Sequence, residues 1–208
     1  MALADLLYRC PACGHDPTTG EGDVAQCPEC GMVYERGRGD LLLLERPPGG
    51  SERQAPVSAL VARIEAHGGP LTRATGPDGS VGYEADVMVS WRQSEDPVRY
   101  RGQLRGYSET MGEPAPAVIR ADDEAVHVVS EGSSSESWPF LEIRALQTSS
   151  SSLQLSLPGD RLVQFKFLTD SPRRWEDLLR HLVREAHRRA GNGFVVEFQP
   201  RIVTRQRT

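Results

Sequence analysis

The chain has no apolar stretch long enough to cross a membrane. Its longest aliphatic run is residues 41–44, four leucines, against the ~20 apolar residues of a spanning helix. No basic segment opens it, and Asp5 interrupts the first apolar residues, so the start does not read as a secretory signal. A cytoplasmic protein is the expectation, with peripheral attachment to the inner membrane face as its variant. Lysine is nearly missing: of 24 lysines and arginines only Lys166 is a lysine, a bias that speaks of a G+C-rich coding sequence more than of mechanism. Positive charge is also in deficit, with a formal net charge of −5, which argues against a general nucleic-acid coat. Catalytic signatures are missing too. His15, His67, His127, His181 and His187 accompany no nucleophile motif, phosphate loop or metal-hydrolase pattern. The serines at 133–135 and 149–152 read as loops.

Cysteine is scarce as well, and all four are gathered in one stretch. Cys10-Pro11-Ala12-Cys13-Gly14 is followed by the near repeat Cys27-Pro28-Glu29-Cys30-Gly31. Two residues between each pair let both sulfurs face one ion, and two such pairs complete a closed tetrahedral site. The prolines stiffen each turn, and Gly14 and Gly31 allow positive φ and close approach of backbone N–H groups to sulfur. Residues 15–26 are polar and turn-rich, as in a hairpin crossing. Leu6, Leu7, Tyr8, Met32, Val33 and Tyr34 are the expected strands and small core around it. Competing readings fit less well. Two disulfides would need an oxidising compartment, a redox Cys-x-x-Cys would start a helix, and haem attachment would want His directly after the second cysteine. Four thiolates leave no open position for a catalytic zinc. Iron in place of zinc is the chemical alternative. The segment resembles a zinc ribbon of the rubredoxin-like kind found in many bacterial proteins, which implies one structural Zn²⁺ held by Cys10, Cys13, Cys27 and Cys30.

Residues 46–51, Arg-Pro-Pro-Gly-Gly-Ser, break the composition, so the expected division is a zinc ribbon at 1–45, a linker at 46–82, a main domain at 83–200 and a basic tail at 201–208. Within the linker, Val57, Leu60, Val61 and Ile64 recur at helical spacing and predict a short helix over 56–67, stopped by glycines. Alternation then takes over: Ala85, Val87, Val89 and Trp91 share one strand face. A second strand is expected after Glu95-Asp96-Pro97, with further strands at 117–120, 125–130, 140–146, 153–157 and 161–168. Ser171 and Pro172 begin a long amphipathic helix whose stripe is Trp175, Leu178, Leu179, Leu182, Val183 and Ala186. Arg188 and Arg189 suit its last turn, and Gly191 stops it. Phe194, Val196 and Phe198 alternate as a final strand.

The fold class expected is α+β and mostly β. About seven strands followed by one helix resemble the pleckstrin-homology-like (PH-like) superfamily, particularly its GRAM-type members. Residues 117–130, 138–146, 153–168 and 172–186 carry the likeness. It implies an antiparallel barrel capped by the C-terminal helix, and a binding platform for lipid head groups, peptides or proteins rather than catalysis. Two arginine groups are candidate contact surfaces. Arg99, Arg101 and Arg105 would line one strand face. Arg173, Arg174, Arg180, Arg184, Arg188 and Arg189 on the helix are interrupted by acids and read as a salt-bridged solvent face, while Arg201, Arg205 and Arg207 follow in the tail. The functional expectation is a non-enzymatic zinc-binding adaptor with a protein partner. A membrane-peripheral, anionic-lipid-binding accessory to a lipid-modifying enzyme is the alternative, and a nucleic-acid-binding zinc ribbon the third reading.

Overall fold

The structure is a computed structural model that describes residues 2–37, 39, 41–68, 74–75, 81–130, 135–149 and 151–192. The strand expected at 194–198 and the basic tail lie outside the described residues.

Two antiparallel sheets organise the chain. Helix α1 (Leu3–Leu6) precedes a four-stranded meander of β1 (Val24–Gln26), β2 (Val33–Arg36), β3 (Leu42–Arg46) and β4 (Arg53–Pro56), paired in that order. Leu7 and Tyr8, expected in a strand, follow this short helix instead and are buried. The composition break at 46–51 is the turn joining β3 to β4, so the small sheet continues past the boundary expected at residue 46. Helix α2 (Val57–Ala66) follows directly and buries Leu60 and Ile64, the second and last members of its apolar stripe.

The larger sheet holds β5 (Ala74–Thr75), β6 (Val81–Tyr100), β7 (Gln103–Met111), β8 (Ala115–Ala121), β9 (Ala125–Ser130), β10 (Glu136–Pro139), β11 (Ala145–Thr148), β12 (Leu153–Leu157) and β13 (Arg161–Phe167). Its main path is β10-β9-β8-β6-β13-β12-β11, with β5 and β7 paired to β6 off that path. The first long strand is therefore central, with one meander on either side. Tyr83, Ala85, Val87 and Val89 of β6 are buried together with Ile119, Val126, Val128, Trp138, Val163 and Phe165 from neighbouring strands. Period-2 alternation places these side chains on one face.

Helix α3 (Pro172–Arg189) completes the fold. The Ser171 hydroxyl accepts from the backbone N–H groups of Arg173 and Arg174, satisfying two donors that a helix start leaves orphaned. Trp175, Leu178, Leu179, Leu182 and Val183 are buried, each worth roughly 2 kcal/mol of gross apolar burial. The helix packs against β11, β12 and the 3-10 turn Phe140–Glu142 that separates β10 from β11.

Two expectations are corrected here. The sheet is not closed into a barrel: β10 and β11 are its two ends. Helix α3 packs on β11 and β12 near one end and on the 3-10 turn that follows β10 at the other, so its apolar stripe is buried without a ladder joining the two ends. The strand expected over 140–146 is instead the 3-10 turn followed by β11, while β10 lies just upstream. Pro139 is tolerated there because β10 is an edge strand and needs no donor on its outer side.

Candidate metal centre and exposed arm

The two cysteine knuckles fold as near copies. The Cys10 N–H donates to the His15 carbonyl at 2.8 Å and the Gly14 N–H to the Cys10 carbonyl at 2.9 Å. In the second knuckle the Cys27 N–H donates to the Met32 carbonyl at 2.8 Å and the Gly31 N–H to the Cys27 carbonyl at 3.0 Å. Gly14 and Gly31 take φ of 77° and 71°, which a side chain would strain. Neither has room for one. A Cβ on Gly14 would lie 3.0 Å from the His67 imidazole, and one on Gly31 would lie 2.9 Å from the Pro48 ring. The end of α2 thus covers the first knuckle and the β3–β4 turn covers the second.

This geometry gathers Cys10, Cys13, Cys27 and Cys30 so that all four sulfurs lie within 4.8 Å of one another. Cys10 Sγ is 3.7 Å from Cys30 Sγ, and Cys13 Sγ is 3.6 Å from Cys27 Sγ. A tetrahedral four-thiolate site with metal–sulfur bonds near 2.3 Å needs sulfur separations of ~3.8 Å, so the donor set fits a metal ion. No disulfide forms between them. Burial acts against ionisation at Cys27, but N–H groups of Cys30 and Glu29 outweigh it and hold that thiol below its ordinary value. Cys13 is pushed the other way, by burial first and by hydrogen bonds with the other three thiols. Without a cation the four sulfurs would not all ionise together. A divalent ion removes that conflict, and four sulfur ligands close its coordination shell.

Tyr34 is expected from the sequence in the small core but not beside a cysteine. It is fully buried on β2, and its hydroxyl lies 3.6 Å from Cys10 Sγ. Burial and the Cys10 thiol both push its ionisation up, so it stays protonated and has a proton to offer the sulfur. Its recognisable signal was a tyrosine on the strand directly after the second knuckle. His67 is the second omission: its Nε2 lies 3.1 Å from the Pro11 carbonyl.

The three candidate arginines do not line one strand. β6 runs unbroken through Pro97 to Tyr100, and β7 returns beside it, pairing Pro97 with Tyr107 and Tyr100 with Gln103. The turn is Arg101-Gly102, with φ of 51° and 77°, the two positive values of a tight hairpin turn. Arg99 therefore sits on β6, Arg101 in the turn and Arg105 on β7, where the pairing shifts between Gly106 and Leu104. Pro97 suggested a break because proline removes a donor, but in a two-stranded arm its outer side needs none. Residues 93–110 form that arm, and Val98, Tyr100, Leu104 and Tyr107 on it are 46–58% exposed.

Helix arginines behave as the acid-interrupted pattern predicted. Arg173 pairs with Asp177 and Glu65, Arg174 with Asp16 and Asp170, Arg180 with Glu176, and Arg188 with Glu185. His127 pairs with Asp122 at 2.8 Å. No helix among the described residues is long and apolar enough to span a membrane. No known protein family matches the chain, and no curated protein matches it either.

Proposed function

We propose that this is a non-enzymatic interaction protein, an adaptor whose N-terminal part is stabilised by one structural zinc ion and whose larger sheet is a PH-like binding platform. Zinc suits four thiolates in a closed site, and such a site supplies folding free energy rather than chemistry. The strand order supports the PH-like reading. A long strand flanked by two antiparallel meanders and followed by a single C-terminal helix is in keeping with that resemblance, although the sheet is open where the resemblance implies a barrel. A cytoplasmic setting, where thiols stay reduced and available to metal, suits the same reading.

One observation carries it: the arm of residues 93–110 exposes four large apolar side chains among three arginines. Exposed apolar side chains gathered on both faces of one two-stranded arm are a mark of an interaction surface. The test replaces residues 94–110 with a short glycine-containing turn. Zinc content and melting temperature are expected to hold while captured protein partners disappear. An unchanged set of partners would count against the reading. A membrane-peripheral role is the second reading, favoured by Arg99, Arg101 and Arg105 at the same arm's end, and it predicts sedimentation with anionic vesicles that salt abolishes.

A further inference from the structure

The arm carries its residues in a definite order. On one face the directly opposed pairs, from base to tip, are Glu95 with Glu109, Pro97 with Tyr107, and Arg99 with Leu104. That face is acidic, then apolar, then basic. At the base a single guanidinium, Arg92, serves three carboxylates: Glu95 at 2.6 Å, Glu109 at 3.6 Å and Asp160 at 2.7 Å. Directly opposed like charges repel, and one cation leaves this end with excess negative charge. The tip has the opposite imbalance. Arg99 reaches the Gly102 carbonyl at 3.5 Å, and Arg101 and Arg105 lie over the Tyr100 ring at 5.3 and 5.7 Å. Among the described residues, no carboxylate pairs with any of the three. Between the two ends Tyr107 is 58% exposed.

We propose that this face docks on the same face of a second copy, antiparallel about a two-fold axis through Pro97 and Tyr107. Glu95 and Arg99 stand two residues either side of Pro97, each roughly 7 Å away at the strand rise. A two-fold axis there exchanges the ends, so Arg99 of each copy meets Glu95 and Glu109 of the other, and the two Tyr107 rings cover one another. Charge complementarity selects this occupant. An acidic protein segment or an anionic lipid surface would neutralise the tip alone, whereas a second copy satisfies tip and base together. Face packing is favoured over strand addition on the β6 edge because Pro97 offers no donor. Three residue pairs make a patch below the ~1,200 Å² of standard interfaces, so the association is reversible and sensitive to salt.

The inference rests on the interaction-protein reading, because it assigns an occupant to the same arm. Sedimentation velocity on the full zinc-loaded chain, from about 5 to 500 µM at low salt, is expected to show mass rising from 22.9 kDa toward twice that value. Arg99→Glu alone and the Glu95→Arg/Glu109→Arg pair are each expected to weaken self-association about tenfold or more. An equimolar mixture of the two is expected to recover a complex. Tyr107→Ser, which leaves the charges untouched, is expected to weaken it as well. A wild type that stays monomeric throughout, or a mixture that fails to recover association, would overturn the proposal. So would a monomer that pellets with vesicles of anionic phospholipid in an Arg99-dependent way. A monomeric wild type whose partners are still lost on shortening the arm would overturn the dimer and leave the adaptor reading standing.

Discussion

The Tyr8 hydroxyl donates to Asp177 Oδ2 at 2.9 Å, joining the residue two before the first cysteine of the cluster to the helix that packs on the larger sheet. The contact has company. The Ser171 hydroxyl donates to the Asp5 carbonyl at 2.5 Å, and Arg174 Nε lies 3.3 Å from Asp16 Oδ2. The buried core is likewise continuous, from Leu3 and Tyr34 around the cysteines to Trp175 and Val183 on α3.

Metal loss is therefore expected to reach beyond the knuckles. Cys27→Ser, or removal of the ion by a chelator, should lower a single melting transition by about 10 °C or more, as a loss of about 4 kcal/mol would. Calorimetry would check this. A main transition that stays at the wild-type temperature would show that the two sheets melt independently. Tyr8→Phe removes one hydrogen bond to a charged acceptor and should cost about 1.5 kcal/mol without changing metal content.

Tyr34→Phe deletes the hydroxyl beside Cys10 Sγ and nothing else. Outer groups that hydrogen-bond to a ligand tune metal affinity. Competition with a chromophoric chelator should show affinity reduced about tenfold, with the fold intact by circular dichroism. Equal affinity would make Tyr34 a packing residue only.

Glu45 is 1% exposed and accepts from Arg63 at 2.6 and 3.2 Å, with Arg53 Nε at 3.1 Å. Arg63→Met strips one cation from a buried carboxylate. The expected loss is about 2 kcal/mol by chemical denaturation, below the roughly 3–5 kcal/mol of a carboxylate left wholly unpaired because Arg53 remains. Arg53→Met, on the more exposed side chain, should cost less than half of that.

Asp122 closes the β8–β9 turn by accepting from the N–H groups of Glu124 and Ala125 at 2.7 and 2.8 Å. Burial alone would raise its ionisation, but these two donors and His127 outweigh it and hold the carboxyl below its usual value. A carboxyl lowered in the fold contributes fully above about pH 4 and loses that contribution as pH falls through its folded value. Asp122→Ala should cost about 0.5–1 kcal/mol at pH 7, given its exposure. The difference from wild type should shrink below pH 4 in acid unfolding; a constant difference would reject the ionic origin.

How much of this was legible beforehand differs from residue to residue. The Cys-x-x-Cys pairs, the glycine after each, the α2 stripe and the Ser171–Pro172 start of α3 are rules of spacing over a few residues, and the backbone obeys them wherever the segment sits. The hairpin arm was misread because Pro97 is a breaker only where its donor is needed, and that depends on whether a strand lies on its outer side. The 3-10 turn at Phe140 was misread for a related reason: an apolar run reads alike as strand or as core-filling turn.

The amino-acid order by itself determined the two cysteine knuckles, helices α2 and α3 and most strands, since each follows from contacts between neighbours in the chain. Tertiary structure alone decided that the sheet stays open under α3, that Tyr34 reaches Cys10, that Tyr8 holds Asp177, and that three arginines gather at the end of an arm. Those are relations between segments far apart in the chain, set by which buried faces and hydrogen-bond partners meet when the whole chain is packed.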